Sequence, residues 1–190
     1  MQKNIVARWF GPDFDRLHPL IQTLHQQGGQ LNGVVSIEHG RGLGGWLGRR
    51  LCKKLGIPTE QSRCDLNVTI RSDENVLYWD RRFAGGSVMA SQFHPVGVYP
   101  SGYWIEQTGP IHLRLAVDIL DTGWHWRVLA IYLYGLRLPL WLFPRSSAYK
   151  TIKDGKYLFN VAFALPILGT ILSYAGALDT IPKGKNINAE

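Results

Sequence analysis

The feature that most constrains the fold is a long series of short segments, covering most of the chain, in which apolar and polar residues alternate. Segment 111–120 is typical, because every second side chain from Ile111 onward is apolar, while His112 and Asp118 lie between them. Alternation with a period of two predicts strands that bury one face. Turn-forming residues, such as those at 121–123, separate the segments.

Such a series of short strands predicts a mainly β protein, either a single antiparallel β-barrel or a strongly bent sheet of about ten strands. A closed barrel of that size would enclose a cavity. We expect a single domain over residues 1–190, because the chain is 190 residues long, is 45% hydrophobic and shows no linker. The barrel is predicted over about 31–181, with a flexible C-terminal tail at 182–190. The predicted strands are residues 31–40, 64–72, 75–84, 87–94, 102–109, 111–120, 124–135, 136–143, 156–165 and 169–178.

Two helices interrupt this pattern. Apolar residues at helical spacing predict an N-terminal helix over about residues 13–28, which Gly28 and Gly29 end. A short helix over about residues 43–55 follows the first strand and carries a stripe of leucines along one face. The stripe consists of Leu43, Leu47, Leu51 and Leu55.

Between the first strand and the short helix, residues 40–45 match the G-x-G-x-x-G pattern of a dinucleotide-binding turn. That fold requires alternating strands and helices, with an almost entirely apolar central strand. Here one short helix follows the motif, and after it come only strands. The strand before the motif carries the polar residues Ser36, Glu38 and His39. We therefore expect no nucleotide and no other cofactor. Two interpretations of the glycines stay open: a turn that needs small residues, or a hinge leading to a helical lid over the mouth of the barrel.

The short helix is also the most basic part of a chain whose net charge is +7. As a lid, it would turn its leucines toward the cavity and its basic residues toward an anionic headgroup or an anionic membrane surface. We expect no nucleic-acid binding, because the other basic residues are scattered and form no stripe interleaved with exposed aromatic residues. The predicted contact residues are Trp46, Arg49, Arg50, Lys53 and Lys54.

Several strands are more apolar than a barrel with a solvated exterior requires. Residues 128–134 are apolar at every position, which indicates a ligand cavity, an oligomer contact or a membrane contact. Our first interpretation is a module that binds a hydrophobic or amphipathic, lipid-like small molecule inside the barrel, with Arg82 and Glu106 as polar anchors. The predicted cavity wall comprises Trp79, Trp104, Trp126, Tyr132 and Phe159.

Arg82 and Glu106 allow two further interpretations. If both face the interior, each needs a partner, because an unpaired buried charge is costly. They could form a structural ion pair. Alternatively, Glu106 could serve as the acid/base catalyst of an isomerase or hydrolase, tuned by Arg82. No metal site is predicted, because none of the six histidines belongs to a metal-binding motif.

Residues 157–178 contain no charged side chain and leave two interpretations open: a transmembrane helix, or two strands joined by a turn. A third hypothesis for function is therefore a membrane-associated protein that uses this segment. The N-terminus lacks the apolar stretch of a signal peptide, so we expect a cytoplasmic protein, or one peripheral to the inner membrane. Cys52 and Cys64 form no C-x-x-C pair and allow either one disulfide or two reduced thiols.

The chain resembles a known family, the domain of unknown function 4166. The likeness runs from "LHPLIQTLH" through "GVVSIEHGRG", "WDRRF", "IEQTGPIHLRLAV" and "LRLPLWLFP" to "LFNVAFALPILGTILSYAGAL", and covers most of the chain. The resemblance implies a bacterial protein, free-standing or fused behind saccharopine-dehydrogenase-like reductase domains. It therefore implies a reductase partner and a role beside redox metabolism, with a lipid-like substrate. Family members often carry acidic residues just after the "LP…P" segment, where this chain has Ser147 and Lys150.

Overall fold

The computed structural model describes residues 4–142, 147–165 and 168–183. The helices within these residues are α1 (Ile5–Phe10), α2 (Pro19–Gln27) and α3 (Gly42–Leu55), with 3-10 helices at Gly11–Arg16 and Leu140–Leu142. The strands are β1 (Gly29–His39), β2 (Arg63–Ser72), β3 (Leu77–Phe83), β4 (Val88–Val96), β5 (Tyr103–Thr108), β6 (Ile111–Leu120), β7 (Gly123–Leu133), β8 (Leu136–Leu138), β9 (Ser147–Lys153), β10 (Lys156–Leu165) and β11 (Gly169–Pro182).

Ten of these strands close into an antiparallel barrel. Neighbouring strands follow the order β6-β5-β4-β3-β2-β1-β11-β10-β9-β7, and β6 pairs with β7 to complete the ring. Strand β7 also pairs with β9 through residues 124–126 and with the extra strand β8 through residues 131–133. The predicted fold class, an antiparallel barrel of about ten strands with an N-terminal helix and a helix after the first strand, is confirmed.

The N-terminal helix differs from the prediction of one helix over about 13–28. The α-helix begins only at Pro19, because proline is favoured in the first turn and disfavoured further along a helix. Residues 11–16 form a 3-10 helix, and an additional α-helix lies before them at 5–10.

The strand predicted at 136–143 is also shorter in the structure. Strand β8 ends at Leu138, because the next residue, Pro139, has no backbone N–H to continue the ladder. The sequence pattern did not predict β9, which forms a hairpin with β10 across the turn at Asp154 and Gly155. The barrel therefore has about the predicted number of strands, but β9 takes the place in the ring that was predicted for residues 136–143.

Residues 157–165 and 169–178 belong to β10 and β11, so the interpretation of this segment as a transmembrane helix is wrong. The two strands pair in antiparallel register, with Tyr157 opposite Leu178. In the part of the chain that the structure describes, no helix is both long and apolar enough to cross a membrane. Most of the predicted tail, residues 184–190, lies outside the described residues.

The segment before the barrel fills one end of it. Every residue of α1 except Arg8 is buried. Its Trp9 and Phe10 rings pack against the rings of Trp104 and Trp124, which are fully buried on the barrel strands. We call residues 5–27 the N-terminal plug. Its burial explains why a barrel of ten strands has a solid core at this end.

Helix α3 crosses the opposite end of the barrel. Near its start, Gly44 lies against the backbone of Leu168, just before β11. Near its end, the Lys54 ammonium donates a hydrogen bond to the hydroxyl of Tyr134 in the β7–β8 turn, with an Nζ–O distance of 2.6 Å. The helix therefore reaches across the barrel end from one strand connection to another, where the lid interpretation places it.

The face that α3 buries coincides with the predicted leucine stripe only toward the end of the helix, because Leu43 is 71% exposed whereas Leu55 is 8% exposed. A Cβ added at Gly48 would lie 2.1 Å from the carbonyl oxygen of Ile171 on β11, which shows that the helix packs directly on the strand backbone. In the glycine cluster at 40–45, Gly40 and Gly44 likewise meet backbone oxygens at the start of β11, whereas Gly42 has a positive φ and open space around it, so the cluster combines close packing with a turn. The buried residues of α3 are Gly44, Gly45, Gly48, Cys52 and Leu55.

We expect Gly48→Ala to destabilise the protein by about 1–3 kcal/mol, the usual cost of overpacking. On an exposed helix the same change would instead stabilise by about 0.8–1 kcal/mol. The sign of the change, measured by urea unfolding, therefore tests the packing. Leu43→Ala, at the exposed start of the same helix, is the control and should change stability by less than about 0.5 kcal/mol. A Gly48→Ala variant as stable as the wild type would contradict the packing of α3 on β11.

Candidate functional site

A cavity of about 100 Å³ lies inside the barrel, on the side of α3. This is of the order of the engineered apolar cavity of about 150 Å³ that binds benzene. Leu55, from the last turn of α3, lines it, and the exposed Ser147 on β9 places part of its rim at the protein surface. The lining is mostly apolar and includes Trp79, Met89, Phe93, Trp126, Phe159 and Phe163.

A chain of hydrogen bonds runs along the cavity wall and connects a buried arginine to a carboxylate. Arg81, only 8% exposed, donates from Nη1 to the Ser91 hydroxyl over 2.7 Å. The Ser91 and Thr108 hydroxyl oxygens are 2.5 Å apart, and Thr108 donates to the Glu106 carboxylate over 3.0 Å. Because the single hydroxyl proton of Thr108 is donated to Glu106, Ser91 is the donor to Thr108, and the Glu106 carboxylate is the final acceptor of the chain. This relay gives each of its members a hydrogen-bond partner and connects Arg81 to Glu106 without a direct ion pair between them.

The second polar group of the cavity is Lys150 on β9, which is 2% exposed. Its Nζ lies 2.8 Å from Nε2 of His25, which the N-terminal plug contributes. The same nitrogen lies 3.6 Å from the ring centroid of Trp124, 4.3 Å from that of Trp79 and 5.6 Å from that of Trp126. A lysine amine is thus held in an aromatic box, with a histidine as its hydrogen-bond partner.

The surroundings of Lys150 and His25 disfavour a positive charge on either side chain. Burial, with repulsion from Arg81, lowers the pKa of Lys150 well below its ordinary value, while Glu106 opposes the shift. Burial, with repulsion from Lys150, likewise lowers the pKa of His25 well below its ordinary value. The Trp rings favour an ammonium, but they do not replace the water or the counter-ion that a buried charge requires.

Four of the predicted site residues line the cavity: Trp79, Trp126, Phe159 and Glu106. Trp104 is buried, but it packs against the plug and does not line the cavity. Tyr132 also lies outside the lining, and its ring is near the guanidinium of the exposed Arg114.

The prediction that the Arg82 side chain points into the barrel is wrong. Arg82 is exposed, and its neighbour Arg81 faces the cavity. Successive side chains of a strand point to opposite faces, and Arg81 shares a face with Trp79 and Phe83, which are both buried. The predicted ion pair of Arg82 with Glu106 therefore does not form, and Arg81 takes the position that was expected for Arg82.

The predicted surface residues of α3 are exposed, as a contact surface requires. Trp46 is 54% exposed, and the guanidinium of Arg50 lies over its ring. Lys54 reaches Tyr134, which is 70% exposed, on the β7–β8 turn. Apolar and basic side chains thus share one surface at this end of the barrel. The exposed basic residues of the helix are Arg49, Arg50, Lys53 and Lys54.

The two cysteines are free thiols. Burial raises the pKa of Cys52 to about 11, so its thiol stays protonated at neutral pH. Its sulfur lies 3.4 Å from Nε2 of His39 at the end of β1. Cys52 therefore belongs to the packing of α3.

The fold and the site together define a class: a closed antiparallel β-barrel, plugged at one end, with an internal cavity that combines apolar walls and a few buried polar groups. The model of a family described as Domain of unknown function (DUF4166) matches residues 17–178. The chain belongs to this family, and the resemblance noted in its sequence is confirmed in this respect. A search of curated proteins returned no match.

The environment of Lys150 predicts a pH dependence of stability. As the pH falls below about 10.5, the ordinary value for lysine, the unfolded chain takes up a proton that the folded protein resists. The free energy of unfolding therefore decreases as the pH falls toward the folded-state pKa. Lys150→Met removes this contribution, so its stability relative to the wild type should increase steadily from pH 10 to pH 7. Urea unfolding at several pH values measures this difference.

The control for this prediction is Lys153→Met, at the exposed end of the same strand. It should follow the wild-type pH dependence. If the free energies of unfolding of the wild type and Lys150→Met change in parallel with pH, Lys150 takes up its proton as easily in the folded as in the unfolded chain. That result would contradict the lowered pKa of Lys150.

Proposed function

We propose that this protein is a binding module for a hydrophobic or amphipathic small molecule, held inside the barrel. The observation that carries the proposal is the cavity itself, with apolar and aromatic walls and a few buried polar groups at its side. Ligand sites are generally concave and mostly apolar, with few convergent polar groups that fix the orientation of the ligand. A purely structural core would fill this space with side chains.

The buried relay defines the polar end of such a ligand. Arg81 retains several N–H donors beyond the one it gives to Ser91, and Glu106 offers acceptor positions beyond the one that Thr108 uses. A hydroxyl or carbonyl group can therefore exchange hydrogen bonds with this wall while an apolar body contacts Trp79 and Trp126. These groups support an amphipathic ligand with a neutral polar head.

A catalytic use of Glu106 is the alternative, because its carboxylate lines the cavity beside Thr108. Arg82 cannot tune it from the outer face, so any tuning belongs to Arg81 through the relay. The reductase partner that the family resemblance implies stays a prediction.

The ligand proposal predicts different effects for two adjacent arginines. Benzyl alcohol, with one ring and one hydroxyl, suits the size and polarity of the cavity, and its binding can be followed by tryptophan fluorescence. Arg81→Met should weaken binding roughly tenfold or more, since a hydrogen bond to a charged group contributes about 1.5–3 kcal/mol. Arg82→Met, which removes the same charge from the outer face, should leave binding unchanged. Equal affinities of both variants and the wild type, or no binding by the wild type, would contradict the proposal.

The exposed surface formed by α3 and the β7–β8 turn supports docking on an anionic membrane. Its apolar members, Leu43, Trp46 and Tyr134, are each more than half exposed, and the four basic residues of α3 surround them. Amphipathic surfaces of this kind bind at the lipid interface through apolar burial and attraction to anionic headgroups. Docking would place the cavity end of the barrel against the membrane, from which an apolar ligand can enter.

Vesicle co-sedimentation tests this docking surface. We expect binding to vesicles that contain phosphatidylserine and little binding to pure phosphatidylcholine. Exchanging Arg50 and Lys53 for Glu should weaken binding at least tenfold, because each basic residue near the surface contributes about 1 kcal/mol. The control exchanges Lys153 and Lys183 for Glu, which changes net charge equally but away from α3. If both double variants lose binding equally, overall charge rather than this surface is responsible.

A further inference from the structure

We propose that Lys150 forms an imine with an aldehyde or ketone group of the molecule that occupies the cavity. The inference rests on the proposed function, because it concerns the same cavity. It adds the chemical class of the ligand, an apolar carbonyl compound, and a covalent mode of binding.

The Lys150 amine has no counter-ion among the described residues. Among the described residues, no carboxylate oxygen lies within 4.0 Å of the Lys150 amine, although surface lysines such as Lys156 have such a partner. A buried lysine that served only the fold would need an ion pair or a full set of acceptors. Here the one hydrogen-bond partner in the described chain is a histidine nitrogen. A solitary amine of this kind is costly for stability, which favours a chemical role.

The surroundings of the Lys150 amine disfavour its protonated form. Burial and the positive charge of Arg81 lower the pKa of Lys150 well below its ordinary value, which favours the neutral amine over the ammonium. Desolvation in an apolar pocket, or a nearby cation, is how proteins activate lysine as a Schiff-base nucleophile. Lys150 combines both conditions.

The Lys150 side chain lies at the wall of the cavity. Lys150, Trp79 and Trp126 all line it, so an apolar carbonyl compound inside the cavity lies beside the lysine. The aromatic box would also stabilise a protonated imine, since ring faces attract cations. The groups that surround the amine thus suit the product as well as the reactant.

The reaction is balanced without an oxidant or a reductant. The nitrogen lone pair of Lys150 forms a bond to the carbonyl carbon, and the carbonyl π electrons move to oxygen. The nitrogen then forms its second bond to carbon as the C–O bond breaks. Both protons of the amine leave with the carbonyl oxygen as water. Nε2 of His25, 2.8 Å from the amine nitrogen, is placed to accept a proton from that nitrogen during the first step.

Reductive trapping tests the inference on the unmodified protein. The protein is incubated at pH 7 with benzaldehyde and cyanoborohydride, which reduces an imine to a stable benzylamine, and peptide mass mapping locates the product. We expect Lys150 to be benzylated before the exposed lysines, because its amine alone among the named lysines lies at the cavity that holds the aldehyde. Labelling of Lys53, Lys54, Lys153 and Lys156 while Lys150 remains unmodified would overturn the inference.

A matched pair of variants completes the test. Lys150→Arg retains a cation but not a reactive amine, and should lose the early labelling, whereas Lys153→Arg should be labelled like the wild type. Benzyl alcohol separates the two proposals, because it fits the cavity but cannot form an imine. Binding of benzyl alcohol without trapping at Lys150 overturns the imine alone. Failure of both overturns the imine and the binding module together.

Discussion

The structure depends on the double pairing of β7, which joins β6 on one side and β9 on the other. This pairing turns a long antiparallel sheet into a closed barrel and creates an interior that every strand must share. Ten strands enclose more volume than their own side chains fill. The N-terminal plug occupies that volume at one end, and at the other the cavity remains. The site is thus a consequence of closure. The relay lies on the consecutive strands β3, β4 and β5, and closure brings Lys150 of the distant strand β9 to the same cavity.

The two ends of the barrel are closed by different means. The plug contributes aromatic rings, which pack against Trp104 and Trp124. Helix α3 contributes glycines, so that its axis lies close to β11, and the larger side chains at its start, Leu43, Trp46 and Leu47, are exposed, whereas Leu55 at its end lines the cavity. This arrangement explains why a helix with a leucine stripe leaves much of that stripe exposed. It also presents apolar and basic residues together on the outer face.

Much of the fold could be predicted from the sequence, because period-two alternation and turn residues are local signals. The missing strand, β9, shows the limit. Its alternation is weak, and the leucine-rich segment before it resembled a strand more closely. The Asp154-Gly155 turn was a usable signal, since such a pair commonly joins the strands of a hairpin. Because β9 was not predicted, Lys150 on this strand was not recognised as a buried residue of the cavity.

The site could be predicted only in part, for a physical reason. Alternation places Arg81 with Trp79 and Phe83, and Arg82 with Asp80, so the apolar neighbours of Arg81 were a signal for the inward face that the prediction did not use. The structure follows this signal, because Trp79, Arg81 and Phe83 are buried. The contact of His25 with Lys150 joins residues far apart in sequence. Such a pair follows only from the three-dimensional arrangement.

Native mass spectrometry of the protein, purified without detergent, tests the central claim most directly. The account predicts a folded barrel that carries a bound apolar molecule, released when the protein is unfolded and recovered in an organic extract. A protein that is repeatedly empty, and takes up no small amphipathic molecule when one is offered, would contradict the account of the cavity as a binding site.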